Sequence, residues 1–327
     1  MSIIFLRGNI VRLLWICFCF LFMINTCVVP CGHAQQAGTP YFGRAESAEY
    51  CEVDMGGGTI RLMTLLDSKM MKTNIHYIQR GIIPPKCGIG EHTHTNMEEM
   101  YFIFNAPAEF TVDGRTALLP ANSCVLCPLG SSHALYNNSD ETLEWLSIAV
   151  TKEKGSGDEN IQYGEVPGRG IDDSGAIRMA TPRRGNVVLE SPAPFRWVQF
   201  DRSLMKPVGP AHEGKGKILN CRPWLDGNFE TNWVRIGHCI LTPGTSIGYH
   251  QHNGIEEVYY VMSGRGRMTV NDHTWDVRPG DAVPCTLHDS HGLYNNTDQD
   301  IEIFVLNVSM VKDVLDAVNH GDDLTGR

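Results

Sequence analysis

Gly90-Glu-His-Thr-His-Thr-Asn-Met-Glu-Glu-Met-Tyr-Phe-Ile-Phe104 returns 158 residues later as Gly248-Tyr-His-Gln-His-Asn-Gly-Ile-Glu-Glu-Val-Tyr-Tyr-Val-Met262. Both stretches place His-x-His ahead of a glutamate with four residues between: His92, His94 and Glu99, then His250, His252 and Glu257. The same offset continues on either side. Thr73-Asn74 matches Thr231-Asn232, Pro85 matches Pro243, and Leu135-Tyr136-Asn137-Asn138 matches Leu293-Tyr294-Asn295-Asn296. Residues 55–150 therefore align with 213–308 without a gap, and each copy supplies a third histidine, His133 or His291. A repeat this long signals two similar domains rather than a solenoid of short units.

Each repeat reads as short strands. Glu99 to Phe104 and Glu257 to Met262 are rich in aromatic and β-branched residues, and Asp113-Gly114, Ser263-Gly264, Asn271-Asp272 and Arg278-Pro-Gly-Asp281 punctuate the runs. That pattern predicts an all-β sandwich or barrel. Residues 152–200 change to a polar, Gly/Pro-rich composition and read as a linker or crossover. Val311 to Val318 has helical spacing of apolar residues and predicts a short closing helix.

On a strand, residues i and i+2 share a face. His92 and His94 then aim two imidazoles at one point, as do His250 and His252. Glu99 or Glu257 returns across a hairpin, and His133 or His291 arrives from a later strand. Imidazole and carboxylate without thiolate suit Mn, Fe, Ni, Cu or Zn. The expectation is up to two such ions per chain, with Mn or Fe preferred. Glu98 and Glu256 fall on the opposite face of their strands.

These residues resemble the cupin superfamily in its two-domain, bicupin form. The first motif of that family, G-x5-H-x-H-x4-E-x6-G, is matched in full by Gly244, His250, His252, Glu257 and Gly264. Copy one keeps His92, His94 and Glu99 but has Lys86 and Ala106 at the glycine positions. The second motif, G-x5-P-x-G-x2-H-x3-N, reads Asn122, Pro128, Gly130, His133 and Asn137, then Gly280, Thr286, His288, His291 and Asn295. The resemblance implies two tandem jelly-roll barrels, 35–151 and 201–327, and metal ligation. Reaction type varies widely within the family, which includes dioxygenases, decarboxylases, lyases and non-enzymatic binders. The family's oxalate decarboxylases carry an arginine three residues before the first ligand histidine. Ile89 and Ile247 stand there in this chain, and Asp158-Glu-Asn160 only faintly resembles those enzymes' lid. Asn137 and Asn295 begin Asn-x-Ser/Thr sequons, but their motif position implies a structural role at a strand end. Association through sheet edges is also common in the family.

The copies differ around the ligands. Tyr77 aligns with Arg235, Arg80 with His238, Glu91 with Tyr249 and Phe102 with Tyr260. Copy two thus offers Arg235, His238, Tyr249 and His288 to hold an anionic or hydroxylated substrate. Tyr101 and Tyr259, two residues past the ligand glutamate, are expected to point inward, where Tyr259 is either a proton donor or base or a core side chain. The second copy is the expected active site.

Size and charge narrow the setting. A chain of 327 residues with 42% apolar and 20% charged residues is globular. A net charge of −10 argues against nucleic acid as a partner. Arg7 and Arg12 precede an apolar run from Leu13 to Val29, followed by Gly32-His33-Ala34. This reads as a signal peptide over 1–34, or alternatively a membrane anchor. Its removal leaves a charge of −12, no remaining membrane segment, and seven cysteines, an odd number. Cys124 and Cys127 share C-x-x-C spacing but sit in an apolar run, so buried small side chains are the expected reading. The functional expectation is a secreted metal-dependent bicupin enzyme acting on a small carboxylate or polyol. The alternative is a non-enzymatic metal- or sugar-binding protein.

Overall fold

A computed structural model describes residues 43, 51–54, 56–156, 158, 160–162, 178–179, 183–184, 187–188 and 195–327. The expected leader lies outside the described residues. Each repeat folds into two facing antiparallel sheets. In the first, one sheet runs in the order Cys51–Asp54, Thr59–Asp67, Ile75–Ile83, Leu143–Thr151, Met97–Ile103, Ser123–Cys127, Arg196–Gln199. Its partner runs Asn160–Gln162, Gly88–His94, Ser132–Tyr136, Ala108–Val112, Arg115–Leu119, Arg178–Met179, with Gly56–Gly57 added beside Gly88–His94. In the second repeat, a sheet ordered Lys206–Val208, Ile218–Leu225, Trp233–Leu241, Ile301–Ser309, Ile255–Ser263, Ala282–Cys285 faces one ordered His273–Val277, Gly266–Val270, Ser290–Tyr294, Ser246–Gln251, Val318–Asn319. These are tandem jelly-roll-like domains, as the resemblance implied. The expected linker gives the first domain edge strands at both of its ends, Asn160–Gln162 and Arg196–Gln199.

The strand period of two decides which core each side chain enters. Along Met97–Ile103, Met100 and Phe102 join one apolar cluster while Tyr101 and Ile103 join another. Along Ser123–Cys127, Cys124 and Leu126 follow the first and Val125 and Cys127 the second. The first cluster is the junction between the domains, because it also holds Trp233, Val258, Tyr260, Phe304 and Leu306 of the second repeat. The other two clusters fill the barrel interiors. Burying each large apolar side chain contributes about 1.5–3 kcal/mol. Cys124 and Cys127 therefore face different cores and are free thiols, as are Cys87, Cys221, Cys239 and Cys285.

Polar groups fasten the junction reciprocally. The carboxylate of Glu256 accepts the backbone N–H groups of Lys72 and Thr73, the latter at 2.7 Å, and the Thr73 hydroxyl at 2.6 Å. Glu98 accepts the N–H groups of Glu230 and Thr231 and the Thr231 hydroxyl at 2.6 Å. Glu98 and Glu256 occupy equivalent repeat positions, as do Thr73 and Thr231. The repeated threonines and the outward-facing glutamates thus belong to one symmetric latch.

The closing helix expected over Val311 to Val318 does not form. Asp313 has φ of 65°, a left-handed conformation no α-helix admits. Val318–Asn319 is instead a strand beside Ser246–Gln251. Val311, Val314, Leu315 and Val318 are all exposed. Among the described residues there is no α-helix and no helix long and apolar enough to cross a membrane.

Turn chemistry explains three of the four drifted motif glycines; Ala106 does not keep the positive φ of its counterpart Gly264. Lys86 and Gly244 both have positive φ, as do Asn122 and Gly280, and Gly130 and His288. The turns persist, and Asn in particular carries left-handed geometry at modest strain.

Candidate metal centres

In both domains three histidines come from one sheet and the glutamate from the sheet facing it. His92 lies directly across from His133, and His250 from His291, in the strand register. Glu99 and Glu257 approach from Met97–Ile103 and Ile255–Ser263. The candidate ligand atoms of His92, His94, Glu99 and His133 lie within 4.8 Å of one another, as do those of His250, His252, Glu257 and His291. All eight residues are buried. Sequence reasoning brought together both sets.

Backbone carbonyls orient the rings. His92 donates through Nδ1 to Gly90 O and His250 to Gly248 O, both at 2.8 Å. His291 Nδ1 bonds Asp289 O at 3.1 Å, and His133 Nδ1 reaches Ser131 O at 3.3 Å. Fixing Nδ1–H leaves Nε2 as the group turned inward, the arrangement metal-binding imidazoles use. His133 Nε2 meets Glu99 at 2.7 Å and His291 Nε2 meets Glu257 at 3.0 Å. His250 Nε2 and His252 Nε2 approach Glu257 at 3.6 and 3.4 Å without making a hydrogen bond, although both are buried. Buried polar atoms are almost always partnered. A divalent ion is a partner that fits two inward imidazole nitrogens beside a carboxylate, so the donor set suits a metal.

The second histidine of each set has an additional restraint outside the barrel strands. His94 Nδ1 bonds Asp158 Oδ2 at 2.6 Å, and Asp158 Oδ1 accepts the Asn96 N–H at 2.9 Å. His252 Nδ1 donates to the Asp316 carbonyl, while the Asp316 carboxylate takes the N–H groups of Asn253 and Gly254. Asp158 and Asp316 are again 158 residues apart. A chain segment from beyond each repeat match straps down one ligand.

The electrostatics follow from burial and proximity. Burial pushes the Glu99 and Glu257 carboxyls up, but the surrounding imidazoles win and hold both well below the usual carboxylate range. Burial disfavours charge on His94, yet Glu99 and Asp158 bring it up to about 9. Tyr259 and Tyr101 are pushed well above the usual phenol range, first by burial and then by the neighbouring glutamate. They stay protonated at neutral pH, so Tyr259 suits a proton donor and not a base.

The remaining expected residues divide. Tyr259 and Arg235 line a cavity of about 70 Å³ with Glu257, Arg222, Asn220 and His212. Arg235 Nε bonds Asn307 Oδ1 at 2.9 Å and its guanidinium lies 3.6 Å from Glu257. Tyr249 does not join them. It neighbours His250 on the same strand, so its side chain takes the opposite face, where the hydroxyl bonds Asn271 O and Arg327 covers the ring. His288 is also outside. It is exposed in its left-handed turn, with Nδ1 3.2 Å from Asn253 Oδ1. His238 is buried on the junction side against Glu302 at 2.5 Å. Asn137 and Asn295 are fully buried strand-end clamps, each donating to two backbone carbonyls.

His212 is a site residue that the sequence did not reveal. It sits in a turn at φ 50° and stacks on the His250 ring with centroids 3.6 Å apart. Burial and then His250 pull it down to about 4, so it is neutral. Copy one has Asp54 at this position, so no repeat signal marked it.

The N-terminal centre is surrounded differently. Tyr77, in the place of Arg235, donates its hydroxyl to Glu99. The Trp145 indole packs so closely on Gly81 that a Cβ there would come within 2.2 Å. Copy two has Ile303 and Cys239 at those positions, and Cys239 lines the cavity.

Comparison with known proteins agrees with this architecture. The Cupin_2 model, described as a cupin domain, matches residues 80–149 and 237–307. An oxalate-binding protein of Thermotoga maritima is 32% identical over 95 residues, 29% of this chain and 78% of that protein. The chain belongs to the cupin superfamily. Its two matched domains make it a bicupin. An uncharacterized protein of Methanocaldococcus jannaschii is 32% identical over 63 residues, 18% of this chain and 50% of that protein. Among solved structures, a deletion mutant of Bacillus subtilis oxalate decarboxylase superposes with a TM-score of 0.59 at 16% identity, over 87% of this chain and 80% of that one. The same enzyme at pH 4.6 gives 0.57 over 89% and 80%. At this identity the likeness describes the fold.

Proposed function

We propose that the bicupin is a metal-dependent enzyme whose C-terminal barrel binds a small carboxylate. The carrying observation is the cavity that touches Glu257 and Tyr259 and is flanked by Arg235 and Arg222. One water-sized group needs roughly 10–15 Å³ of such volume, so about 70 Å³ admits some five or six heavy atoms. That is the size of a two- or three-carbon acid. Burial, then the nearby Arg235, pulls the Arg222 guanidinium below its usual range. Among the described residues no carboxylate pairs with Arg222. Two neighbouring cations in an acidic protein favour an anion between them. The oxalate-binding relative and the decarboxylase fold are consistent with this class.

His250, His252, Glu257 and His291 would hold the ion, which when bound acts as a Lewis acid toward a substrate oxygen. Arg235, braced by Asn307, orients the carboxylate. Tyr259 holds a proton beside Glu257 and can deliver it to a developing charge. His212 closes one wall over His250 and limits water. The N-terminal set would hold a second ion behind Tyr77 and Trp145. We also infer that residues 1–34 direct secretion, supported by Arg7, Arg12 and the apolar run that follows; intact-mass analysis of the exported protein checks it.

The test is calorimetric titration of metal-loaded protein with formate, oxalate and malonate, with product analysis by NMR. Arg235→Met is expected to weaken binding at least tenfold, the effect of losing a charged hydrogen bond of about 1.5–3 kcal/mol. Undiminished binding in Arg235→Met and Arg222→Met would sink the assignment.

A further inference from the structure

The second large cavity, about 440 Å³, lies at the junction of the two domains and is separate from both metal centres. Its walls come from equivalent positions of the repeats. Phe104, Asn122 and Glu144 of the first domain correspond to Met262, Gly280 and Glu302 of the second, and all six line it. The cavity therefore straddles the axis relating the repeats, between the sheet faces that carry Phe102 and Phe304. Elsewhere the junction is packed with apolar side chains. Here it is open and bordered by charge.

The charges are already matched. Arg80 meets Glu144 at 2.6 Å. Glu302 takes Arg202 and lies 2.5 Å from His238. Burial pushes Glu302 up, but His238 and Arg202 prevail and hold it down at about 2, so it is ionised. Aromatic faces complete the walls. Phe104 and Tyr260 lie near parallel, 9° apart, and Phe200 lies beside them. The cavity's volume falls in the roughly 300–1,000 Å³ range of small-molecule sites, which favour domain interfaces.

We propose that this cavity binds a neutral, hydroxyl-rich ring compound of about disaccharide size. A charged ligand would have to break one of the two ion pairs. A neutral one need not, because a guanidinium has five donors and a carboxylate about four acceptor positions, more than one pairing uses. Hydroxyls bond the paired arginine and glutamate edges while C–H faces rest on Phe104, Phe200 and Tyr260. The site takes none of the metal ligands.

The probes are cellobiose and maltose, with glucuronate as the charged control, titrated calorimetrically into the full chain. The expected result is one saturable site for a neutral disaccharide with Kd below about 1 mM. Arg202→Ala, at a side chain 55% exposed, weakens it about tenfold. Glu144→Gln does likewise, and His252→Ala leaves it unchanged. Lack of saturation by either disaccharide up to about 10 mM overturns the proposal. So does tighter binding of glucuronate, persistence of binding in both cavity variants, or its loss in His252→Ala.

Discussion

Stripping metal from the C-terminal centre should cost stability, and the structure indicates how much. Without an ion, His250 Nε2 and His252 Nε2 are buried and make no hydrogen bond. Each such group costs about 1–3 kcal/mol, so the metal-free centre is penalised by about 2–6 kcal/mol. For a chain of this size a kilocalorie corresponds to about 2–4 °C in Tm, which predicts a rise of about 4–24 °C on loading. The assay is scanning calorimetry of chelator-treated protein, alone and after addition of Mn(II), Fe(II) or Zn(II), with metal content measured on the same samples. His252→Ala should lose about one bound ion per chain and most of the rise. His94→Ala should lose the other ion. A Tm that shifts by less than about 2 °C on loading, or one that rises equally in the double variant, would refute the reasoning.

Three further outcomes follow from other parts of the molecule. Glu256→Ala strands the Thr73 N–H and hydroxyl in a dry junction and should cost about 3–5 kcal/mol in urea denaturation, with Glu98→Ala similar. Glu302 is held at about 2 against an ordinary 4.5, so its stabilising contribution is complete above about pH 4.5 and disappears as pH falls toward 2. The stability gap between wild type and Glu302→Gln should accordingly be widest near neutrality and close across that window. Peptide mass spectrometry of protein made in a glycosylating host should find Asn137 and Asn295 unmodified, since both side chains are buried and bonded on both ends.

Much of this was legible because side-chain alternation and a fixed offset are properties of the sequence itself. The His-x-His pairs required strands, and strands required Glu98 and Glu256 to face away from the ligands. The same rule, applied to Tyr249, places it opposite His250, and the polar character of a tyrosine could not override backbone geometry. The apolar spacing of Val311, Val314, Leu315 and Val318 imitated a helix. An isolated segment this short is marginal as a helix, and here the Asp316 carboxylate holds it by capping Asn253 and Gly254. The Asp158-Glu-Asn160 stretch suggested only a faint lid resemblance, and its equivalence to Asp316 stayed hidden because each aspartate stands beyond the aligned block, with dissimilar neighbours. His212 escaped because its role comes from ring stacking across the fold, which leaves no local pattern.

The latch through Glu98 and Glu256 has a consequence for how the two halves came to differ. A contact in which residue i of one unit meets j of the other, and j meets i, is the geometry of an isologous dimer. Two separate identical chains joined this way must change both halves with every substitution. Joining them end to end lifts that constraint while keeping the contact. Tyr77 and Arg235 could then part company, as could Trp145 and Ile303, so that one barrel closed around its centre and the other opened a chamber beside it. The shared fastening keeps the two barrels joined while the surroundings of their centres differ.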